Sequence, residues 1–347
     1  MVSIITEYDQ LYFTPGVPDM EISTDQTSVE IIVSVTPISG TASVIYDETL
    51  YAVGGRVFLS ALPNLLRASI DQSLLASVTI SVTADNGSDS VTFNVRHCNA
   101  HLLGSAANVI DGHFLTLAQG RRVTSLHRTE ALHYIGNDDV TVQAVYDDLS
   151  TKTFNLSPVA DDTLIKHVDV SPSLFVDDSI GILVSYTVNA GSRTQQFDVE
   201  SETLHDVICV NFRNAFGCME YVYCTGNIED NTEFSHETSM INGKFICYNV
   251  DERIEYTADS GVIPFGSVNL WKDMLRSKET FLADNKENPP VEQVTRVVII
   301  EAKPSYTNDD AEMPRFTFKF KPSGTLSICD FRSHGRIFDN SFDSTFN

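Results

Sequence analysis

The strongest constraint on this chain is a two-residue period. Short runs rich in Val, Ile, Thr, Tyr and Phe recur along it, bounded by Gly, Asn, Asp, Ser or Pro. That alternation between those boundaries is the mark of β-strands. In the first third the runs are EIIVSVTPI (30–38), ASVIYDETLYAV (42–53), LASVTISVTA (75–84) and SVTFNVRHC (90–98). DNGSD joins the last two and reads as a hairpin turn. Between strands lies VFLSALPNLLRASIDQ (57–72), whose Leu59, Leu62, Leu65, Leu66 and Ile70 have helical spacing. Pro63 argues against one long helix, so one or two helical turns are predicted there.

The pattern continues at roughly ten-residue spacing, as in a sandwich. HFLTLAQ (113–119), EALHYIG (130–136), VTVQAVYDD (140–148), STKTFNLSP (150–158), LIKHVDVSP (164–172), IGILVSYTVNAG (180–191) and TQQFDVES (194–201) are predicted strands. YDDLSTKTF and VNAGSRTQQF read as hairpins. In the last part the β-type segments are HDVICVNFRNAFGCMEYVYCTG (205–226), KFICYNVDERIEYTA (244–258), TRVVIIEAKPSY (295–306), RFTFKFKPSG (315–324) and TLSICDFRS (325–333). One helical piece, VNLWKDMLRSKETFLA (268–283), interrupts them, with Trp271, Met274, Leu275 and Leu282 as its apolar face and Trp271 as a core anchor. The predicted fold is therefore mainly β. Two tandem immunoglobulin-like β-sandwich modules, 1–104 and 105–202, precede a β-rich C-terminal module, 203–347, with one short helix. Alternating βα units are absent, which argues against a nucleotide-binding α/β enzyme.

Charge narrows the partners. The formal net charge is −24, from 47 acidic and 23 basic residues, and no Lys occurs before Lys152. Such a surface repels phosphate backbones, so nucleic acid is not an expected partner. Solubility is the simplest reason for the acidity. The opening MVSIITEYDQLYFTPGV has no basic region followed by an apolar one, and no apolar run reaches the ~18 residues of a membrane span. Cytoplasmic synthesis without signal-peptide export, and no membrane insertion, are the expectations. Cys98, Cys209, Cys218, Cys224, Cys247 and Cys329 form no C-x-x-C pair. Reduced, mostly buried thiols are expected of them.

Catalytic chemistry has little purchase here. No P-loop, dinucleotide, nucleophile-elbow or zincin motif occurs. His97 with His101, and His127 with His133, lie close in sequence but lack a third ligand at a telling spacing, so surface or core-rim positions are expected for them. Cys98 beside His97 on a strand would point to the opposite face. Asp-Asp dipeptides recur in NDDVTVQ, VYDDLST, VADDTL and FVDDSIG. They read as turn residues, with loop calcium as the alternative. No enzyme activity, no catalytic or metal-binding residue and no cofactor are expected.

Asn211-Phe212-x-Asn214-x-Phe216-Gly217-x-x-Glu220, followed by Thr225-Gly226, resembles the C-terminal module of virion proteins from Bacteroidetes phages and prophages. So does the ending Arg336-Ile337-Phe338-Asp339-x-x-Phe342-Asp343-x-x-Phe346-Asn347. The resemblance covers about the last 140 residues. It implies a tail, baseplate or fibre component that acts by protein–protein assembly, as a ring or trimer, within the virion. Its partners would be other virion proteins and copies of itself. The alternative is a receptor- or carbohydrate-binding module that meets a host-surface receptor. From residue chemistry, Gly217 permits a turn that aims Phe216 inward, and Asn214 caps a loop.

The ending poses its own question. Phe338, Phe342 and Phe346 lie four apart, a spacing that forms one helical stripe. Asp, Asn, Ser and Thr between them are poor helix formers, so such a helix needs something to dock on. Assembly across a subunit boundary and docking on its own module are equally open readings.

Overall fold

The computed structural model describes residues 1–38, 40–70, 75–100, 106–161, 164–177, 179–200, 207–283, 295–305 and 312–324. The strand predicted at 325–333 and the phenylalanines Phe338, Phe342 and Phe346 lie outside them.

The first module contains strands β1 (Val2–Ile4), β2 (Leu11–Phe13), β3 (Met20–Thr24), β4 (Ser28–Pro37), β5 (Ser43–Tyr51), β6 (Arg56–Leu59), β7 (Leu75–Ala84) and β8 (Gly87–Arg96), with helix α1 (Leu62–Ile70). They form a three-stranded sheet, β1-β3-β6, facing a five-stranded one, β2-β8-β7-β4-β5. Alternation decides the layering. In β4, Val29, Ile31, Val33 and Val35 point inward and are at most 1% exposed. In β7, Val78, Ile80 and Val82 do the same. Helix α1 has nine residues, longer than the one or two turns expected. Pro63 is its second residue, in the first turn, where a missing N–H costs nothing. Leu62, Leu66 and Ile70 close the core.

The second module repeats the plan after helix α2 (Ala106–Gly112). Its strands are β9 (Arg121–Ser125), β10 (Ala131–Ile135), β11 (Val140–Tyr146), β12 (Thr151–Leu156), β13 (Val159–Ala160), β14 (Ile165–Asp169), β15 (Leu183–Ala190) and β16 (Arg193–Glu200). Sheet β10-β14-β13 packs on β12-β11-β15-β16-β9. In both modules an early strand closes the larger sheet by running parallel to the last strand, β2 with β8 and β9 with β16. Three fully buried tyrosines stiffen the second core. Tyr134, Tyr146 and Tyr186 each donate their hydroxyl to a backbone carbonyl, of Asp138, Phe175 and Val170, at 2.8, 2.9 and 2.8 Å. No hydroxyl is left unsatisfied by that burial.

HFLTLAQ, predicted as a strand, is an irregular crossover. Its apolar residues serve three separate cores. Phe114 enters the second module, Leu115 the inter-module contact, and Ala118 the edge of the third. Alternation there reflects this sharing and not a strand.

The third module is a seven-stranded sheet, β18-β17-β23-β24-β25-β22-β19. The strands are β17 (Ile208–Arg213), β18 (Met219–Cys224), β19 (Ile228–Asp230), β22 (Tyr256–Asp259), β23 (Thr280–Ala283), β24 (Thr295–Ser305) and β25 (Arg315–Pro322). Between β19 and β22 the chain makes a separate hairpin, β20 (Glu233–Ile241) with β21 (Lys244–Arg253). Helix α3 (Val268–Arg276) covers one face of the seven-stranded sheet. Trp271 stacks on Phe316, with ring centroids 6.2 Å apart. Phe318, Phe320 and Met274 complete that layer.

The helical piece read over 268–283 thus ends at Arg276. Ser277 is already extended, and Thr280–Ala283 pair with β17 and β24. Leu282 belongs to that strand and not to the helix face, because a β-branched and aromatic run beside two open strand edges gains more from the ladder. Trp271, the single Trp of the chain, is 4% exposed. Trp271→Ala is expected to destabilise the protein by about 3–5 kcal/mol. Urea unfolding followed by circular dichroism measures this.

Candidate functional site

The most heavily built region outside the sandwich cores is the meeting point of all three modules. An apolar cluster there takes Phe13, Cys98 and Ala100 from the first module, Leu115, Ile135 and Ile165 from the second, and Ala215, Phe216 and Cys218 from the third. Phe13 and Phe216 meet edge-to-face, 5.7 Å apart. The fully buried Arg96 donates from Nε to the Phe216 carbonyl at 3.3 Å, and the Asn99 N–H donates to the Ala215 carbonyl at 2.9 Å.

Turn chemistry aims Phe216. Residues 214–217 form a tight turn in which the Gly217 N–H donates to the Asn214 carbonyl at 2.9 Å. Gly217 has φ of +81°, a conformation glycine adopts without a Cβ penalty. The Asn214 Oδ1 accepts from the N–H groups of Phe216 and Cys218, both at 3.0 Å. Its Nδ2 donates to the Leu115 carbonyl at 2.8 Å and to Glu220 Oε2 at 3.0 Å. One side chain therefore ties the turn, the crossover from the second module and a buried carboxylate together.

That carboxylate belongs to a charge cluster. Arg122 on β9 donates from Nη1 to Glu220 Oε1 and from Nη2 to Glu130 Oε2, each at 3.0 Å. Arg122, Glu130 and Glu220 are 4%, 2% and 2% exposed. Thr116 adds a hydroxyl donor to Glu220 Oε1 at 2.6 Å. Burial pushes the Glu130 carboxyl up, and the neighbouring Arg122 opposes this. Burial also penalises the Arg122 charge, but the two carboxylates overcome it and hold the guanidinium protonated. Arg122 and Glu130 come from the second module and Glu220 from the third, so the cluster spans the seam. Nearby, the Tyr223 hydroxyl donates to the Thr129 carbonyl at 2.7 Å and accepts from its N–H at 2.8 Å.

Two further contacts set the spacing. Gln119 donates its N–H to the Gly266 carbonyl at 2.8 Å. A Cβ on Gly266 would stand 1.8 Å from the Gln119 oxygen, so only glycine lets these backbones approach. Asp273 of α3 accepts the Ala215 N–H at 2.8 Å. Burial raises its carboxyl pKa to about 7; the Ala215 N–H opposes the rise, and Glu220 adds to it.

The residues singled out from sequence fall in two places. Asn214, Phe216, Gly217 and Glu220 converge on this seam, while Phe212 and Trp271 lie in the third core and Asn211 faces the other side of β17. Arg122, Glu130, Thr116 and Asp273 are the members that sequence reasoning passed over. Arg122 sits in an RRVTS strand, where an Arg pointing inward looks like any surface Arg.

Of the four histidines read from sequence, His127 keeps the expected surface position, His97 and His133 lie deeper than a rim, and His101 falls outside the described residues. His97 and His133 are buried, 5% and 7% exposed, and His127 is exposed. Burial, set against Asp161, lowers the His133 pKa to about 4. The Asp-Asp loops are used structurally: Asp138 pairs with Arg193 and Asp177 with Lys152, both at 2.7 Å, and Asp147 accepts the Ile182 N–H at 2.9 Å. Among the described residues no group of three His, Cys, Asp or Glu is placed to hold a metal. Cys98, Cys209, Cys218 and Cys224 are buried and Cys247 is exposed. Burial pushes the Cys98 and Cys209 thiols up to about 12, which keeps them protonated and poorly nucleophilic. No described helix is long and apolar enough to cross a membrane.

The fold and the seam define a protein of tandem immunoglobulin-like β-sandwiches locked to a third β-module. No family model and no curated protein matches the sequence. Among solved structures, a three-domain immunoglobulin fragment of titin, an E-to-A variant, is similar at 9% identity and a TM-score of 0.19, over 74% of this chain and 92% of that one. A titin Z1Z2 structure in complex with telethonin is similar at 12% identity and a TM-score of 0.16, over 58% and 98%. Scores this low carry no argument, and the sandwich assignment stands on the strand pairing itself.

Removing the guanidinium strands two buried carboxylates. Arg122→Ala is expected to cost about 3–5 kcal/mol. It is also expected to split one calorimetric transition into two as the third module loses its registration. Asp273 gives a pH dependence. Its folded pKa lies above the unfolded value of 3.8, so its stabilisation is complete below that value and is lost as pH rises through about 7. The melting temperature of Asp273→Asn relative to wild type should therefore rise between pH 5 and pH 8.

Proposed function

We propose that this chain is a structural component of a bacteriophage virion, of the tail, baseplate or fibre apparatus, acting by protein–protein assembly and without catalysis. The observation that supports this reading most is the three-module seam. An enzyme with separate domains commonly keeps a mobile cleft between them. Here that place is filled by apolar packing and a satisfied charge cluster. Such a build suits a part that transmits load and presents strand edges to neighbours.

The resemblance of the last 140 residues to phage virion proteins points the same way. On this reading Phe338, Phe342 and Phe346 serve as a docking arm toward other particle proteins. Their role rests on sequence spacing alone.

The test is made on particles induced from a host that carries the sequence. Mass spectrometry of purified virions is expected to find the chain at a fixed copy number, and antibody labelling to place it on the tail. A chain found only in the soluble lysate overturns the proposal. The receptor-binding alternative has one observation in its favour, the exposed aromatic rings Phe234, Phe245 and Tyr248. Glycan-array binding by the purified chain would support it.

A further inference from the structure

The hairpin β20–β21 leaves the seven-stranded sheet with every residue of both strands exposed. Its register is continuous with that sheet. In β19–β22, Ile228 pairs with Ala258 and Asp230 with Tyr256; three residues further along each strand, Glu233 pairs with Arg253. One ladder therefore runs from the sheet out to the Asn242-Gly243 turn, whose φ values of +51° and +74° suit a two-residue hairpin. Nine paired positions make the hairpin about 30 Å long. A two-stranded ribbon standing alone in water is marginal, and a third strand is what stabilises one.

Among the described residues only β20 pairs with β21, so the far edge of β21 is open. Alternation along the ladder fixes which groups that edge shows. The Glu255 carbonyl accepts from the Asn231 N–H at 2.8 Å, on the side of β19 and β20. Glu252 and Val250, three and five residues back, turn their N–H and C=O groups to the open side. Cross-strand pairing of Phe234 with Glu252, His236 with Val250 and Met240 with Phe245 puts these side chains on one face. Phe234, Met240, Phe245 and Val250 are 59, 61, 74 and 49% exposed.

The strand that points along this edge is β25. It pairs antiparallel with β22, Asp259 opposite Thr317 and Tyr256 opposite Phe320. Since β21 runs into β22, the chain leaving β25 heads outward beside β21. The Ser323 N–H donates to the Arg296 carbonyl at 2.9 Å, on the side of β24. Pro322 and Gly324 therefore turn their backbone groups to the side of β22 and β21. Four residues beyond the Tyr256–Phe320 pair, the same register sets Gly324 opposite Glu252. The described chain ends there. The next residues are TLSICDFRS (325–333), the run of β-type composition, nine residues against the ten of β21.

We propose that residues 325–333 pair antiparallel with β21 of the same chain, as the third strand of the hairpin. In the register set by β22 and β25, Leu326 comes opposite Val250 and exchanges backbone hydrogen bonds with it. Leu326 and Ile328 then share the face of Phe234, Val250 and Phe245, and Arg332 and Ser333 come level with the Asn242-Gly243 turn. The direction of β25, its register and the length of the segment all select this occupant. A strand already tethered at Gly324 loses little freedom on pairing, whereas a second copy would give up its translational and rotational freedom. Residues 334–347, with Phe338, Phe342 and Phe346, start near the hairpin tip in this arrangement. These registers hold whether or not the chain is a virion part.

Disulfide trapping on the full chain tests this, with Cys247→Ser and Cys329→Ser in every variant to remove competing thiols. Asp251→Cys with Thr325→Cys creates a facing pair of the closer, non-hydrogen-bonded type, about 4.5 Å between Cα atoms. Asp251→Cys with Arg332→Cys is the control, its second thiol about 23 Å further along the strand. Oxidation by glutathione disulfide should close the first pair within one chain and leave the second open, read by intact mass and gel mobility. Closure of both pairs alike, closure of neither, or closure of the first between two chains overturns the proposal; the last means that a second copy supplies the strand. Hydrogen exchange over 244–253 is the second measurement. Leu326→Pro removes an N–H aimed at β21, whereas Ser327→Pro removes one aimed at solvent, where an edge strand tolerates proline. The first should speed exchange in β21 by about tenfold and the second should leave it near the wild-type rate. Equal exchange in the two variants overturns the proposal.

Discussion

Arg122 is the contact on which the arrangement of modules depends. A guanidinium buried between Glu130 and Glu220 cannot be left half-paired, because the unpaired charge would remain out of water. Apolar packing alone tolerates sliding, since one methyl group replaces another at small cost. A guanidinium held by a different carboxylate on each Nη does not slide. It requires the third module to present Glu220 where β9 presents Arg122, and Asn214 then carries that requirement into the turn that aims Phe216. The cluster acts more as a device of placement than as a source of net stability, since charges in a buried pair give back in desolvation much of what they gain from attraction.

The seam also explains oddities elsewhere. The crossover at 113–119 forms no strand because its side chains are divided among three cores. Gly266 is small because Gln119 runs against it. Asp273, the buried carboxylate of α3, caps the Ala215 N–H at the same seam. Each looks like a local irregularity and each is a consequence of bringing three modules within touching distance.

Away from the seam the third module turns outward. One face of its sheet is sealed by Trp271 and the phenylalanines of β25. The other shows cations paired with Glu255, Asp259 and Glu301 around Val298 and Ile300, and the β20–β21 hairpin leaves from the edge. Among the described residues, the β20–β21 ribbon leaves Phe234 and Phe245 more than half exposed.

Much of this was legible in the residues. Two-residue alternation between turn residues specifies strands because side chains on a strand alternate faces and one face must avoid water; β4, β7, β11 and β15 follow from that alone. The NFRNAFG segment announced a glycine turn beside a buried Phe, whereas β20 and the Asn242-Gly243 turn that joins it to β21 escape the sequence reading, in which only 244–258 is β-type there. What no local pattern could reveal was which strand lies uncovered and which charge lies buried. Residues 280–283 became a strand because two edges happened to flank them. Arg122 became a core residue because Glu220, nearly a hundred positions away, arrived opposite it. Period and turn chemistry are properties of neighbours in sequence, and so the sequence by itself determined strands, turns and the mainly β class. Burial of charge and exposure of a ribbon depend on what folds against them, and only the tertiary structure decided those.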